Sequence, residues 1–218
     1  MCSSDLEGYF IILSSELTES IARRLRIYVM RSDVNVEPLD DCVVAGLSDS
    51  ELSDSAVATL PLPGEERMLV IVNQQLAVTG NHELAQEWKA GDLARGICWL
   101  GGASTAQFLP QMLGFGELGA INFRKGCYPG QEIVARTHYL GKLKRFPRVL
   151  KTAQAIGAMP MEKVTLLSGD DRFEAVVADT VESEAKGCYL FTVVRMDPEL
   201  EVDKIEFDGQ SIKPEAAD

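Results

Sequence analysis

The chain has 218 residues, of which 46% are hydrophobic, and its formal net charge at pH 7 is -12. This size suits one or two globular domains, and the charge favours solubility. No apolar run approaches the roughly 20 residues that cross a bilayer, and the start lacks the basic-then-apolar pattern of a secretory signal, so we expect a cytoplasmic protein without a membrane partner.

The first residues, MCSSDL, resemble the translation of a sequencing-library adapter. We therefore expect residues 1–7 to be a non-native tail and the native sequence to continue upstream of Gly8. The alternative is a short natural tail. Terminal residues are commonly disordered in either case, so Cys2 is given no functional weight.

The first half of the chain has the pattern of an α+β body. Residues 8–13 (GYFIIL) and 34–39 (VNVEPL) have strand-like composition, and they flank an amphipathic helix predicted over 14–31. Loop composition is clearest at 60–66 (LPLPGEE). Further strands are predicted at 42–47, 68–72 and 75–80, and further helices at 82–90 and 104–113.

The last third of the chain has the pattern of short antiparallel strands. They are predicted at 163–167, 172–178 and 188–194, and Asp208-Gly209 is a hairpin signal. This pattern is typical of a small β-barrel or sandwich. The predicted fold class is α+β, with a body at 8–123, a connecting segment at 124–145 and a C-terminal antiparallel β-barrel at 146–218.

The five cysteines favour reduced thiols. Their number is odd and their spacing contains no CxxC pattern, so neither a disulfide framework nor a closed zinc site is indicated. With only two histidines, we predict no firm metal site. Cys42, Cys98 and Cys188 lie in apolar stretches, where free cysteines commonly pack.

Positive charge is concentrated in one stretch, residues 124–151. It contains eight lysines or arginines and one acid, Glu132, which gives a local charge of +7 and leaves -19 for the rest of the chain. Such an island can attract an anion, whether a polyglutamate, a phosphate or an acidic protein face. The alternative is a set of cations that only solvates a linker. The eight are Arg124, Lys125, Arg136, Lys142, Lys144, Arg145, Arg148 and Lys151.

The most informative motif is KGCYPGQE, residues 125–132. A Pro-Gly step breaks the chain before helical spacing begins at Gln131, so Cys127 is predicted to precede a helix N-terminus, where a thiolate is favoured. Gly126 and Gly130 allow the loop to bring its amides close to a ligand. His138 is a candidate for the same cleft. The alternative is a tight structural loop with a half-buried cysteine.

This motif, with 107–113 (QFLPQML) before it and 141–145 (GKLKR) after it, resembles the signature K-G-C-Y-x-G-Q-E of the YgfZ family of folate-binding proteins. That family is similar in fold to the aminomethyltransferase (GcvT-like) T-protein of the glycine cleavage system. The resemblance extends over residues 8–213. It implies a GcvT-like folate-binding fold of which an N-terminal portion is absent.

The resemblance also implies a function. Family members are cytosolic proteins that assist assembly or repair of iron–sulfur enzymes, including tRNA-modifying ones, and bind tetrahydrofolate in a central cleft. The defining thiol corresponds to Cys127, which is a candidate transient iron–sulfur ligand completed by a partner's cysteines. Expected partners are client enzymes, cluster carriers and folate. The expected ligand-binding residues are Lys125, Gly126, Tyr128, Gly130, Gln131, Glu132 and Arg136.

One departure separates the candidate functions. Aminomethyltransferases read the pterin with a glutamate in a stretch resembling R-x-E-x-G, and here the corresponding stretch, DLARG, has Ala94 at that position. This disfavours the main alternative, a folate-dependent aminomethyltransferase. A third alternative, an RNA-binding module, is disfavoured because few aromatic residues accompany the cations, so no direct nucleic acid binding is expected. The sequence leaves catalytic activity open and favours a non-enzymatic maturation factor over an aminomethyltransferase.

Overall fold

The structure is a computed structural model that describes residues 8–47, 56–62, 67–74, 81–126 and 130–215. The chain forms two compact units, Met1–Asn81 and His82–Asp218, and each unit has its own sheet. Within the described ranges, no helix has the length and apolar character needed to cross a membrane.

The first unit combines one helix with a three-stranded antiparallel sheet. Helix α1 (Thr18–Val29) follows a short 3-10 helix at Ser15–Leu17, which confirms the helix predicted over 14–31. The strands are β1 (Cys42–Leu47), β2 (Ala58–Pro61) and β3 (Met68–Asn73), in the order β1-β3-β2. Strand β3 is central because it is the most apolar of the three, and its Val70 is fully buried.

Three predictions for the first unit are wrong. Residues 9–13 and 34–39 form no strand, and part of the loop predicted at 60–66 belongs to β2. The carbonyl oxygen of Val36 accepts a hydrogen bond from Nε of Arg26 at 2.8 Å, so a side chain uses a backbone group that a strand would pair. Phe10 and Ile12 line a small apolar gap beside β2 and β3. The strand predicted at 75–80 lies outside the described residues.

The second unit contains helices α2 (His82–Ala94) and α3 (Gln131–Tyr139). Both begin where the sequence predicts them. The helix predicted at 104–113 is wrong except for a 3-10 helix at Pro110–Leu113. Ala106 has a φ of 60°, which no continuous α-helix allows, and Pro110 cannot donate a helical hydrogen bond.

The sheet of the second unit has the strand order β4-β7-β6-β5-β8-β9, and every pair is antiparallel. The hairpin predicted at Asp208-Gly209 joins β8 to β9, and these two residues have φ of 46° and 76°, as a type I′ turn requires. The strands are β4 (Phe146–Thr152), β5 (Lys163–Ser168), β6 (Asp171–Ser183), β7 (Gly187–Val194), β8 (Lys204–Phe207) and β9 (Gln210–Ile212).

The predicted closed barrel is not found, because the described strands β4 and β9 do not pair with each other. The chain after β9 returns to β4 through a single bridge. There the amide of Glu215 donates a hydrogen bond to the carbonyl oxygen of Lys151 at 2.8 Å. One bridge does not close a sheet, so the second unit is an antiparallel sheet with two edges.

A bulge in β6 changes which face its side chains occupy. Val177 lies in a buried cluster on one face, whereas Val181 lies in a second cluster with residues of α2. The pairing of β6 with β7 shifts register between Val177 and Asp179. Because an extra residue reverses the alternation of a strand, Asp179 is buried against α2.

The mixed α+β class is confirmed, and the finer GcvT-like assignment stays a prediction. The compact units divide after Asn81, whereas the predicted body extends to residue 123. The difference arises because α2 packs on β6 and β7 of the second unit. The assignment of 8–123, 124–145 and 146–218 to family domains also stays a prediction.

Candidate functional site

Helix α3 follows the signature directly, and its start is fixed by local geometry. Gly130, at the N-cap, has a φ of 86°, a left-handed conformation that residues with a Cβ adopt only with strain. Val134 is the buried residue of α3. The side-chain amide of Gln111 donates a hydrogen bond to the Val134 carbonyl oxygen at 2.7 Å. This bond ties α3 to the 3-10 helix at Pro110–Leu113.

The structure describes six of the eight predicted site residues, which are Lys125, Gly126, Gly130, Gln131, Glu132 and Arg136. Gln131 is half-buried, and the other five are exposed. Cys127 and Tyr128 lie outside the described residues, so their contacts with these six stay predictions. The shared cleft for Cys127 and His138 stays a prediction for the same reason.

Phe123, His138 and Tyr139 form a ring cluster at the C-terminal end of α3. The rings of Phe123 and His138 stack with their centroids 3.8 Å apart and an interplanar angle of 13°. Tyr139 lies edge-on to both rings, 4.7 Å from His138 and 6.0 Å from Phe123. Arg124 lines the same open groove as the three rings. The residues entering the signature therefore pack against the last turn of the helix that leaves it.

Sequence spacing gives little sign of this ring cluster. Phe123 precedes His138 by 15 residues, and the Pro-Gly step and most of α3 lie between them. Helical periodicity relates residues only within one helix, so it cannot pair a loop residue with a helix terminus. The one available signal is that three aromatic side chains lie at the two ends of the segment 123–139.

Six cations of the island have exposed side chains and form no ion pair with the described residues. We call them the basic surface: Arg124, Lys125, Arg136, Lys142, Lys144 and Arg145. The other two have local partners. Arg148 donates hydrogen bonds to the carbonyl oxygens of Asp197 and Leu200, and Lys151 lies 3.9 Å from Glu215. The basic surface is therefore available to an anionic ligand.

Three other cysteines are free thiols whose pKa values are raised. Burial raises the pKa of Cys98, and the charge of Asp179 raises it further. Desolvation likewise raises the pKa of Cys188 and of Cys42, each with help from a nearby acid. The packing predicted for Cys98 and Cys188 is confirmed, whereas Cys42 is only half-buried. A raised pKa lowers the thiolate fraction near neutral pH, so these three thiols are less nucleophilic than an ordinary cysteine.

The residue predicted to correspond to the pterin-reading glutamate of aminomethyltransferases is apolar in this structure. Ala94 ends α2 and packs against the buried cluster that contains Leu93. The preceding carboxylate, Asp92, is buried and accepts a hydrogen bond from Nε1 of Trp99 at 2.9 Å. Ala94 therefore offers no carboxylate to a ligand at the predicted position.

Lys89 and Asp179 form an ion pair between α2 and the bulge of β6, with Nζ 2.6 Å from Oδ1. The Asp179 side chain is 5% exposed, and it also accepts hydrogen bonds from the backbone amides of Thr180 and Trp99. Burial raises the pKa of Asp179, and Lys89 opposes this rise. The pair joins three segments of the second unit, which marks it as a structural contact.

No family model matches the chain. Curated relatives do match it. The tRNA-modifying protein YgfZ of Yersinia pestis (strain Pestoides F) is 30% identical, over 64% of this chain and 51% of that protein. The protein of the same name from Yersinia pseudotuberculosis serotype O:3 (strain YPIII) has the same identity and coverage, and that from Escherichia fergusonii is 31% identical over 65% of this chain and 52% of its own length.

The chain spans about half the length of the curated relatives it matches. The matches nevertheless agree with the family that the signature at residues 125–132 indicates. The motif and the relatives together support the assignment of the chain to the YgfZ family.

Proposed function

We propose that this chain is a folate-binding protein that assists the assembly or repair of iron–sulfur clusters in cytoplasmic client enzymes, including tRNA-modifying ones. The observation that carries this proposal is the KGCYPGQE signature, in a chain whose relatives are named tRNA-modifying proteins. The raised pKa values of Cys42, Cys98 and Cys188 support it, because they lower the reactivity of these three thiols near neutral pH.

In the proposed mechanism, Cys127 is a transient ligand for a cluster that is cargo. The thiol loses its proton to solvent, and the thiolate sulfur donates an electron pair to a cluster iron whose previous ligand is released. No electron is transferred, and the step is reversed when a client cysteine replaces Cys127. Lys125 and Arg124 favour the thiolate by their charge. The remaining iron ligands come from the carrier or the client.

Tetrahydrofolate is proposed as a ligand through its anionic tail. The six cations of the basic surface suit the glutamate carboxylates of folate. The pterin contacts of the aminomethyltransferases are not available at Ala94, so the pterin is bound differently or more weakly. Tetrahydrofolate itself supplies one-carbon carrier chemistry, and no step of the proposed mechanism depends on it.

The alternative function is aminomethyl transfer to tetrahydrofolate. A methyl group at Ala94 cannot accept hydrogen bonds from the pterin, and each unpaired donor costs about 1–3 kcal/mol. The nearby Asp92 already accepts the Trp99 indole hydrogen. We therefore propose a maturation factor and not an aminomethyltransferase.

The proposal is tested with a purified client enzyme whose [4Fe–4S] cluster has been oxidatively damaged. The chain is added with a cluster carrier, and recovery of the cluster is followed by its visible absorbance and by client activity. We expect faster recovery with the chain, and no acceleration with Cys127→Ser. Cys188→Ser is the matched control, because it removes a buried thiol whose pKa is raised by desolvation. Equal recovery with Cys127→Ser would contradict the proposal.

A further inference from the structure

We propose that the ring cluster and the basic surface together form a contact site for single-stranded RNA. In this site a base stacks on the ring cluster, and the neighbouring phosphates contact the cations. The inference does not depend on the iron–sulfur role or on folate binding, because it rests on side chains of the second unit that the structure describes.

The stacking part of the site is already assembled. His138 is held against Phe123 at a centroid distance of 3.8 Å, so the ring cluster needs little further ordering to receive a base. Tyr139 lies edge-on to His138 and is 66% exposed. Exposed aromatic rings of this kind bind bases of any sequence by stacking, because every base has a π-face.

The charged part of the site lies beside the rings. Arg124 lines the groove with Phe123, His138 and Tyr139. Arg136 precedes Tyr139 by three residues on α3, so the two side chains are neighbours on the helix surface. The remaining cations of the basic surface are Lys125 before α3 and Lys142, Lys144 and Arg145 after it.

Charge complementarity favours a nucleic acid over a neutral or basic partner. The six cations are exposed without ion pairs among the described residues, and the one acid of the stretch is Glu132. The charge of -19 on the rest of the chain repels a polyanion elsewhere, so the RNA contact is short. Each phosphate contributes about -0.7 to the log–log salt slope of a single strand, so six cations give a slope of at most about -4.

From the sequence alone no nucleic acid contact is expected, because aromatic side chains are sparse near the island. In the structure, however, aromatic side chains are gathered next to the cations. Phe123, which lies before the signature, is packed onto two residues at the end of α3, so three rings are gathered into one cluster beside the cations. Stacking and charge are then present on one surface, as proteins that bind single strands require.

The test is fluorescence anisotropy with a labelled single-stranded RNA of about eight nucleotides, within the range that one binding module covers. We expect Tyr139→Ala to weaken binding by about 5- to 150-fold, the loss of one stacked base, and Tyr139→Phe to retain binding. Arg124→Gln with Arg136→Gln should weaken binding and reduce the salt slope by about 1.4. Tyr9→Ala is the matched control, since Tyr9 is 75% exposed in the other unit.

Two further ligands, heparin and AMP, distinguish binding of a single strand from binding of charge alone or of a free nucleotide. Circular dichroism checks that each variant is folded. Heparin has charge without bases, so its binding should be insensitive to Tyr139→Ala. The proposal is overturned if the RNA does not bind, if Tyr139→Ala binds RNA as tightly as the parent chain, or if Tyr9→Ala weakens binding as much. It is also overturned if AMP binds as tightly as the RNA with the same dependence on Tyr139, because the site would then accept free nucleotides.

Discussion

The ammonium group of Lys89 lies 2.6 Å from the buried carboxylate of Asp179, and it joins α2 to the bulge of β6. Burial raises the pKa of this carboxyl group in the folded protein above its unfolded value. The stability contributed by the protonated form is therefore present below the unfolded pKa and is lost as the pH rises through the folded pKa. Lys89 reduces that loss because it stabilises the charged form.

Replacing Lys89 by Met should leave Asp179 buried without its partner. We expect the free energy of unfolding at about pH 7 to fall by about 1–3 kcal/mol, less than for a fully buried pair because Lys89 is 37% exposed. At about pH 5 the loss should be smaller, since Asp179 is more readily protonated in the variant. Urea unfolding at both pH values measures the difference.

The matched control for that prediction is Lys163→Met. Lys163 contacts Glu174 at 2.9 Å, but both side chains are more than half exposed. Such pairs contribute about 0–1 kcal/mol, so little change is expected at either pH. If Lys89→Met and Lys163→Met behave alike, the assigned role of the Lys89–Asp179 pair is wrong.

Gly130→Ala should destabilise the start of α3. A residue with a Cβ adopts the φ of 86° found at Gly130 only at a free-energy cost of about 1–2 kcal/mol. The space that the added methyl group would occupy is open, so no steric clash contributes. Gly126→Ala is the control, because Gly126 has equal space and a φ outside the left-handed region. Thermal unfolding should show a lower Tm for Gly130→Ala only. Equal Tm values would show that the left-handed turn is not required.

Cys127 should be alkylated faster than the other thiols near neutral pH. We expect its pKa to lie below the ordinary value of about 8.5, whereas the pKa values of Cys42, Cys98 and Cys188 are raised. Peptide mass spectrometry after brief iodoacetamide treatment measures each site. Lys125→Ala should slow the reaction at Cys127, and Lys163→Ala should not. Alkylation of Cys42 at the same rate as Cys127 would contradict this expectation.

Folate affinity should rise with the number of glutamates in the tail and fall with salt. The cause is attraction between the added carboxylates and the basic surface, which salt screens. Calorimetry with mono- and polyglutamyl tetrahydrofolate measures both effects, and Arg124→Gln with Arg136→Gln should reduce the dependence on tail length. Arg23→Gln with Arg24→Gln, on exposed residues of α1, is the control. Affinities independent of tail length and salt would contradict the electrostatic explanation.

Much of the local structure could be predicted from the sequence because its causes are local. The Pro-Gly step and helical spacing predict α3 from Gln131 to Tyr139, and Asp208-Gly209 predicts the β8–β9 hairpin. A strand, by contrast, needs a partner. Residues 34–39 have strand composition, but the carbonyl of Val36 is bonded to the Arg26 side chain, a contact that no local pattern reveals.

In the candidate site, too, features formed by neighbouring residues could be predicted, and features formed by residues distant in sequence could not. The signature residues could be recognised from the sequence because they are contiguous. The ring cluster could not, since Phe123 and His138 are joined by folding across a loop and a helix. The bulge at Val177/Asp179 was equally hidden, because a run of apolar residues does not indicate where the alternation of a strand reverses.

Cys127 is proposed to carry the function of this chain, and complementation of bacterial cells is the most stringent test of that role. Bacterial cells that lack their own YgfZ are given the chain or its Cys127→Ser or Cys188→Ser variant, at equal protein levels. The thiolated nucleosides of their tRNA, made by an iron–sulfur enzyme, are then measured by mass spectrometry. We predict restored thiolation with the parent chain and with Cys188→Ser, and little with Cys127→Ser. Full restoration by Cys127→Ser would contradict the account, because the thiol would then be structural.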